Sequence, residues 1–478
     1  MSAVLSFIIL NVKVRWGKLK LDFAKLDRAF SPKCVVVVGD SAEDNFRWLK
    51  SQRKFRGKLY SVQVNHKSIE SIKALGVENY TSLLDVPGPI DLVIVAVPRA
   101  VAPKILEDCI RKDVAAAHFF TAGFSETDTE EGVRLERLLT RMAEEANFHL
   151  IGPNCMGIFN PRVGVWQSLE QYTSTAGSVG FISQSGTHAG GFANEAHLQG
   201  MDVSKSVSFG NGIVLDSTDY LEYLSRDTET KVIGMYLEGV KDGRRFLKVL
   251  RDVSAKKPVV IWKGGRTEEG GRAIASHTGS LAVPQAIWDA VMKQSGAIKV
   301  TKMEELIDTL KALLYLPPVS GNRVAIAGGS GGQSVAIADV FAEAGLRVPL
   351  LTQESYDELA SFFTLIGGGY RNPIDTGNEN RKEMKRILDI LERDANTDNL
   401  VLLTSVWGGA NVELMVAIRN RTRKPAMAIV PYSNPDGMRE ARKITREFQK
   451  GGIPAFPTME RGAVALRKAF EYYSFKNS

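Results

Sequence analysis

The sequence predicts an α/β protein built from doubly wound parallel sheets, and three observations carry that prediction. Short β-branched apolar runs recur along the 478 residues, and a segment of helical length follows most of them. Several runs end in glycine or small hydroxyl residues, as strand-to-helix turns that face a ligand do. The composition, 44% hydrophobic and 24% charged, is that of an ordinary globular chain with core enough for several domains.

The first unit opens with four consecutive valines, Val35 to Val38, ending at Gly39, Asp40 and Ser41. A run of this kind reads as a buried parallel strand leading into a turn. Further strands are predicted at Leu59 to Asn65, Asp91 to Pro98, Ala115 to Ala122 and Phe148 to Gly152. Their tips carry Asn65-His66-Lys67, Val97-Pro98-Arg99, Thr121-Ala122-Gly123-Phe124 and Gly152-Pro153-Asn154-Cys155. Ligands of open α/β sheets bind at the carboxyl ends of the strands, so these tips are the candidate site. The dinucleotide fingerprint GxGxxG is absent after Gly39, which disfavours a nicotinamide-dependent oxidoreductase.

A second set begins near Gly177. Ser178 to Ile182 is a strand, Ser183-Gln184-Ser185-Gly186-Thr187 a turn, and a helical pattern follows through Leu198. Such a turn leaves backbone amides free at a helix N-terminus, where an anion can bind; an ordinary N-cap accounts for the same residues. Ser206 to Gly212 and Val232 to Gly239 come next, with Glu238 where an apolar strand ends against glycine. Pro258 to Trp262 is the last strand read in this set. It leads into a stretch with Gly264, Gly265, Gly270, Gly271 and Gly279, a glycine density that predicts an irregular loop around Ser276-His277-Thr278-Gly279-Ser280. Taken alone, His277 reads as a surface histidine. Three strand-end loops of one sheet nevertheless offer an anion cradle, a carboxylate and an imidazole together.

Leu316 to Asn322 reads as a linker. A third unit follows, with a strand at Arg323 to Ala327, a glycine-rich turn at Gly328 to Gly332 and a helix at Ser334 to Ala344. Later strands are expected at Leu400 to Ser405, Ala426 to Pro431 and near Ala455. The predicted domains are therefore 21–155, 156–316 and 322–478. Cys34, Cys109 and Cys155 have neither metal nor disulfide spacing, which fits a reducing cytoplasm and no metal site. A net charge of +7 without a dense basic run argues against nucleic acid. The apolar stretch Ala3 to Leu10 falls far below the roughly 18 residues of a membrane span. It reads as an added strand or as residues upstream of the true start.

Seven motifs in order now carry a resemblance: Val64-Asn65-x-Lys67, Thr121 to Glu126, Gly152 to Pro161, Phe181 to Gly186, Val207 to Asn211, Tyr236 to Gly239 and Ser276 to Ala282. Together they closely resemble the α subunit of NDP-forming acyl-CoA synthetases, of the ADP-forming acetyl-CoA synthetase type, and more distantly that of succinyl-CoA synthetase. The resemblance implies a Rossmann-like CoA-binding domain followed by two flavodoxin-like domains. It implies an acid–thiol ligase that converts acyl-CoA, phosphate and ADP to a carboxylic acid, CoA and ATP through acyl phosphate and a phosphohistidine.

By the same resemblance His277 takes the phosphoryl group and Glu238 orients its ring. Phosphate is expected at Asn154, Ser185, Gly186, Thr187 and Gly279, with helices opening after Asn154 and at Ser185 to Thr187. CoA is expected at Gly39, Ser41, Asn65, Lys67, Val97, Pro98, Thr121, Ala122 and Gly123. A glycine-rich carrier loop would let His277 travel. Departures from the family stand at Ser41-Ala42-Glu43-Asp44-Asn45-Phe46, at His66 in place of proline, and at Val283-Pro284. Trp166, Gln167 and Tyr172 offer themselves as an acyl pocket or as packing. No segment reads as an ATP-grasp domain, so ADP or ATP with Mg2+ is expected on a separate β subunit, in an α2β2 assembly. The alternative is a CoA- or acyl-CoA-binding regulator that has kept the fold and lost turnover.

Overall fold

The computed structural model describes residues 19–172, 176–278, 284–405 and 408–477, apart from the side chains of 275–278. Cys34–Val38 (β1) is buried along its whole length, as valines sandwiched between two helical layers must be. It stands at the centre of a sheet with Lys58–Val62 (β2), Glu78–Tyr80 (β3), Leu92–Val95 (β4), Ala116–Phe119 (β5) and Leu150–Ile151 (β6). The order is β3-β2-β1-β4-β5-β6 and every pair is parallel. This is the Rossmann order, and its strand order reverses between β1 and β4.

The second sheet contains Gly157–Phe159 (β7), Val179–Ser183 (β8), Val203–Ser208 (β9), Val232–Leu237 (β10), Val259–Lys263 (β11) and Ile298–Val300 (β12). Its order is β12-β11-β10-β8-β9-β7, with β7 antiparallel to β9. Without β7 this is the flavodoxin order, which reverses between β8 and β10. In the third sheet Val324–Gly328 (β13), Asn399–Leu403 (β14), Ala426–Ile429 (β15) and Ala455–Phe456 (β16) lie side by side in chain order. A parallel bridge between Ala327 and Ile374 extends it beyond β13 and restores the same flavodoxin-like sequence of positions.

The units share their cores. One apolar cluster joins Phe181 and Phe192 of the second unit to Phe341, Ile429 and Tyr472 of the third. Another joins Phe30 and Trp48 of the first to Tyr220 and Ile261 of the second. Phe30 stacks on Tyr223 with centroids 4.5 Å apart, and Asn160 donates to the Phe30 carbonyl at 2.7 Å. Between the second and third units Arg461 grips Asp308 through Nε at 2.6 Å and Nη2 at 2.9 Å. Beside that pair the fully buried Lys311 donates to Gln199 Oε1 and to the Ala455 carbonyl, each at 3.1 Å.

Two expectations need correction, and one left open is decided. The glycine-rich stretch after β11 forms a helix, Glu268–Thr278, not an irregular loop. Thr267 Oγ1 accepts from the Gly270 amide at 3.1 Å, Glu268 and Glu269 occupy the positive first turn, and buried Ile274 anchors the helix on the second unit. Capping, dipole and anchor together outweigh the roughly 1 kcal/mol that each helical glycine costs. No helix opens after Asn154 either. The chain there turns with Asn154 at φ 56° and enters β7. Of the two readings for Trp166, Gln167 and Tyr172, the structure takes packing: Trp166 and Gln167 are buried, Trp166 exchanges hydrogen bonds with Gln52, and Tyr172 stacks on His197 with centroids 4.2 Å apart.

Candidate functional site

The two reversal points place the candidate residues. At the first, Gly39 follows β1 at φ 88°, and a Cβ there would stand 2.5 Å from Val97 Cγ1 and 2.7 Å from the Ala96 carbonyl. Only glycine lets the turn toward Ser41 pass so close to the end of β4. Thr121, just beyond β5, donates through Oγ1 to the Val97 carbonyl at 2.8 Å and accepts at its own carbonyl from the Asn154 amide at 3.0 Å. Gly39, Ser41, Val97, Pro98, Thr121, Ala122 and Gly123 thus share one sheet edge. Asn65 caps the helix His66–Ala74, accepting from the amides of Lys67 and Ser68, and Gln63 ties it to the Asp40 carbonyl at 2.9 Å. Lys67 is exposed in the first turn of that helix.

At the second reversal point Ser183 of β8 pairs with Tyr236 of β10. Ser185 caps the thirteen-residue helix Gly186–Leu198, so Gly186 and Thr187 form its first turn. Glu238 follows β10 and is 6% exposed. Gln184 Oε1 takes the amides of Glu238 at 2.9 Å and Gly239 at 3.1 Å, while buried Lys263 donates to the Glu238 carbonyl at 2.7 Å. The Glu238 backbone is therefore fixed from both neighbouring strands. Its carboxylate is not: Oε1 accepts a long bond from Tyr236 Oη at 3.4 Å, and Oε2 is buried with no described partner. An unsatisfied buried carboxylate oxygen is costly, and its chemistry suits an N–H donor absent from the described side chains. Burial holds the His188 imidazole below its ordinary pKa while the Glu238 charge pulls it upward. Its ring lies 4.3 Å from that of Tyr236 and 4.7 Å from that of Trp262.

A hydrogen-bond network joins the two edges. Asn211 donates to Glu126 Oε2 at 2.7 Å and Glu136 Oε2 at 2.9 Å, and accepts from Asn154 Nδ2 at 3.4 Å. Glu126 Oε1 in turn accepts from the Gly123 amide at 2.6 Å. Three of the motifs, Thr121 to Glu126, Gly152 to Pro161 and Val207 to Asn211, meet at these bonds. The helix Glu268–Thr278 packs against Ser125–Thr127. His277 is its penultimate residue. The side chain of His277 and the whole of Gly279 lie outside the described residues. Gln184, Lys263, His188 and the Asn211–Glu136 pair were not singled out from sequence; each is an ordinary polar residue with no spacing to mark it.

A CoA binding domain model matches residues 33–161, and a succinyl-CoA ligase like flavodoxin domain model matches residues 176–313. The α subunit of the ADP-forming acetate–CoA ligase II of Pyrococcus furiosus is 36% identical over 453 residues, covering 92% of this chain and 96% of its own. The chain belongs to the ADP-forming acetate–CoA ligase α-subunit family. The ADP-forming acetate–CoA ligase I of Archaeoglobus fulgidus is 35% identical over 90% of this chain, which spans 61% of that relative. The structure of the dinucleotide-forming acetyl-coenzyme A synthetase 1 of Ca. Korarchaeum cryptofilum in complex with phosphate and ADP superposes with a TM-score of 0.82 at 28% identity, over 95% of this chain and 97% of that one.

Proposed function

We propose that this chain is the α half of an ADP-forming acid–CoA ligase, interconverting acyl-CoA, phosphate and ADP with a carboxylic acid, CoA and ATP. The observation that carries the reading is the junction itself. A Rossmann edge bearing the CoA-site residues abuts a flavodoxin edge bearing a helix N-terminus, a buried carboxylate with an orphan oxygen, and the helix that carries His277 in its last turn. Phosphate attack on the thioester carbonyl forms an acyl phosphate and expels the CoA thiolate, which takes up a proton. One imidazole nitrogen of His277 then attacks phosphorus, the P–O bond to the acyl oxygen breaks, and the carboxylate leaves. The phosphoramidate finally transfers its phosphoryl group to ADP.

In this reading the amides of Gly186 and Thr187 hold the phosphate oxygens, and Asn154 and Gly279 complete that cradle. Glu238 Oε2 accepts from the other ring nitrogen of His277, fixes its tautomer and steadies the charge that develops on attack. Gly39, Ser41, Asn65, Lys67 and the tips from Val97 to Gly123 bind CoA. ADP with its Mg2+ sits on an ATP-grasp β subunit, in an α2β2 assembly in the cytoplasm. No helix among the described residues is long and apolar enough to cross a membrane. The relatives reported above are named as ligases or their subunits, which lends the regulatory alternative no support. The test is labelling. Incubated with acetyl phosphate, the chain acquires an acid-labile phosphate, and His277→Ala abolishes it without changing thermal unfolding. Equal labelling of variant and parent overturns the assignment.

A further inference from the structure

Glu43 and Asp44 leave the turn after β1 acidic at the place where the ligase reading puts phosphate groups. Arg47 answers that charge. Asn45 at φ 53° and Phe46 at φ 51° both take the left-handed conformation, which a bulky residue such as phenylalanine adopts only at a cost of about 1–3 kcal/mol. Their turn delivers the next residue, Arg47, to the end of β5.

There the guanidinium carbon lies 5.5 Å from the centroid of the Phe120 ring and 6.0 Å from that of Trp48, with Nη2 3.8 Å from Met156 Sδ. Among the described residues no carboxylate pairs with it. Aromatic faces and a thioether fix the plane of a guanidinium, but a thioether is a weak acceptor and most of the five N–H donors remain to be used.

Met156 sets the direction. The same sulphur stands 3.7 Å, and Cγ 2.5 Å, from where a Cβ on Gly186 would be. One thioether therefore separates the Arg47 fork from the first turn of the helix Gly186–Leu198. Phe120 also immediately precedes Thr121 to Gly123 at the other sheet edge. An under-used fork of donors at this junction matches a planar pair of phosphate oxygens.

We propose that Arg47 is a phosphate-binding residue of the ligase site, contributing from the first unit the bidentate cation that the helix N-terminus of the second unit lacks. The phosphoryl group is one of CoA's or the one being transferred. This deepens the ligase reading and rests on it.

The experiment uses the full chain in three forms, parent, Arg47→Met and Arg47→Lys, each checked by thermal unfolding. Calorimetry measures CoA and inorganic phosphate separately, and acetyl phosphate labelling gives the rate of phosphoryl uptake. Arg47→Met weakens binding of at least one ligand about tenfold or more, the loss expected when charge-assisted hydrogen bonds go, and Arg47→Lys falls between it and the parent. Loss confined to CoA identifies a CoA phosphate as the partner; loss of phosphate binding and labelling with CoA intact identifies the transferred group. Arg47→Met binding both ligands and labelling within twofold of the parent overturns the proposal. Should Arg47→Met fail to fold, a lysine variant equal to the parent in all three measurements does so instead. A parent chain that binds neither ligand sinks the ligase reading and this assignment together, a result distinct from a parent that binds and a variant that is unaffected.

Discussion

Glu238 Oε2 is a buried acceptor with no described donor, and leaving such an atom unpaired costs about 1–3 kcal/mol or more. The surrounding bonds show that the strain is local to the carboxylate, because the Glu238 amide and carbonyl are both satisfied. A purely structural glutamate would place the carboxylate, not only the backbone, against a donor. The expected consequence is kinetic. Glu238→Gln keeps an oxygen that can orient the His277 ring but removes the charge that steadies it during attack, so labelling from acetyl phosphate slows by about tenfold or more while thermal unfolding stays near that of the parent. An unchanged labelling rate reduces Glu238 to an architectural residue.

At the scale of elements, the turn after β1 carries its own titration. Asp40 is 1% exposed; Oδ2 accepts from the Leu49 amide at 2.8 Å while Oδ1 is unpaired, and burial pushes the carboxyl up to about 6. A carboxyl whose folded pKa lies above its unfolded one holds its proton in the native state. Its contribution is therefore fully present below the unfolded value near 3.8 and is lost as pH rises through about 6. Asp40→Asn removes the dependence while keeping an oxygen for Leu49. The variant gains on the parent as pH rises from about 4 to about 7, by an amount on the order of 2–3 kcal/mol. Denaturant unfolding at several pH values checks this, and parallel curves for the two proteins contradict it.

Elements also differ in how plainly the sequence wrote them. The buried strands β1, β4, β8, β10, β11 and β14 announced themselves as short apolar runs, because a strand covered on both faces has no polar alternation to dilute it. β3, β7 and β12 are three residues long, too short for any periodicity, and exist through pairing with longer neighbours. The helix Glu268–Thr278 was illegible for another reason: its two glycines spoke for a loop, and the burial of Ile274 that overrules them is set by the fold. The candidate site divides along the same line. Glu238 and Ser185 to Thr187 were readable as strand ends. Arg47 and Asn211 were not, since each acts through partners more than 50 residues away in the chain.

At the scale of the whole molecule, the open question is where a nucleotide would bind. The third unit is the rival location, because β13 runs into Gly328 to Gly332 and a helix, Gly331–Glu343, beside a cavity of about 550 Å3 that includes Ser330, Arg381, Thr404 and Tyr432. Phosphate would have to dock on that helix N-terminus. Its N-cap amide is already engaged, and a carboxylate stands beside its first turn. Gln333 Oε1 accepts from the Ser330 amide at 3.1 Å in a capping box, and Asp375 Oδ2 stands 3.3 Å from where a Cβ on Gly331 would be. A carboxylate at the positive end of the helix occupies the field a phosphate chain would need and repels its charge. The chain purified alone is therefore expected to bind neither ADP nor ATP with useful affinity, and to form no acyl-CoA from acid, CoA and ATP until an ATP-grasp partner is added. Calorimetry with ADP and magnesium on the isolated chain decides the matter. Micromolar binding that disappears in Gly331→Val would put the nucleotide in the third unit, and the partner would no longer be required.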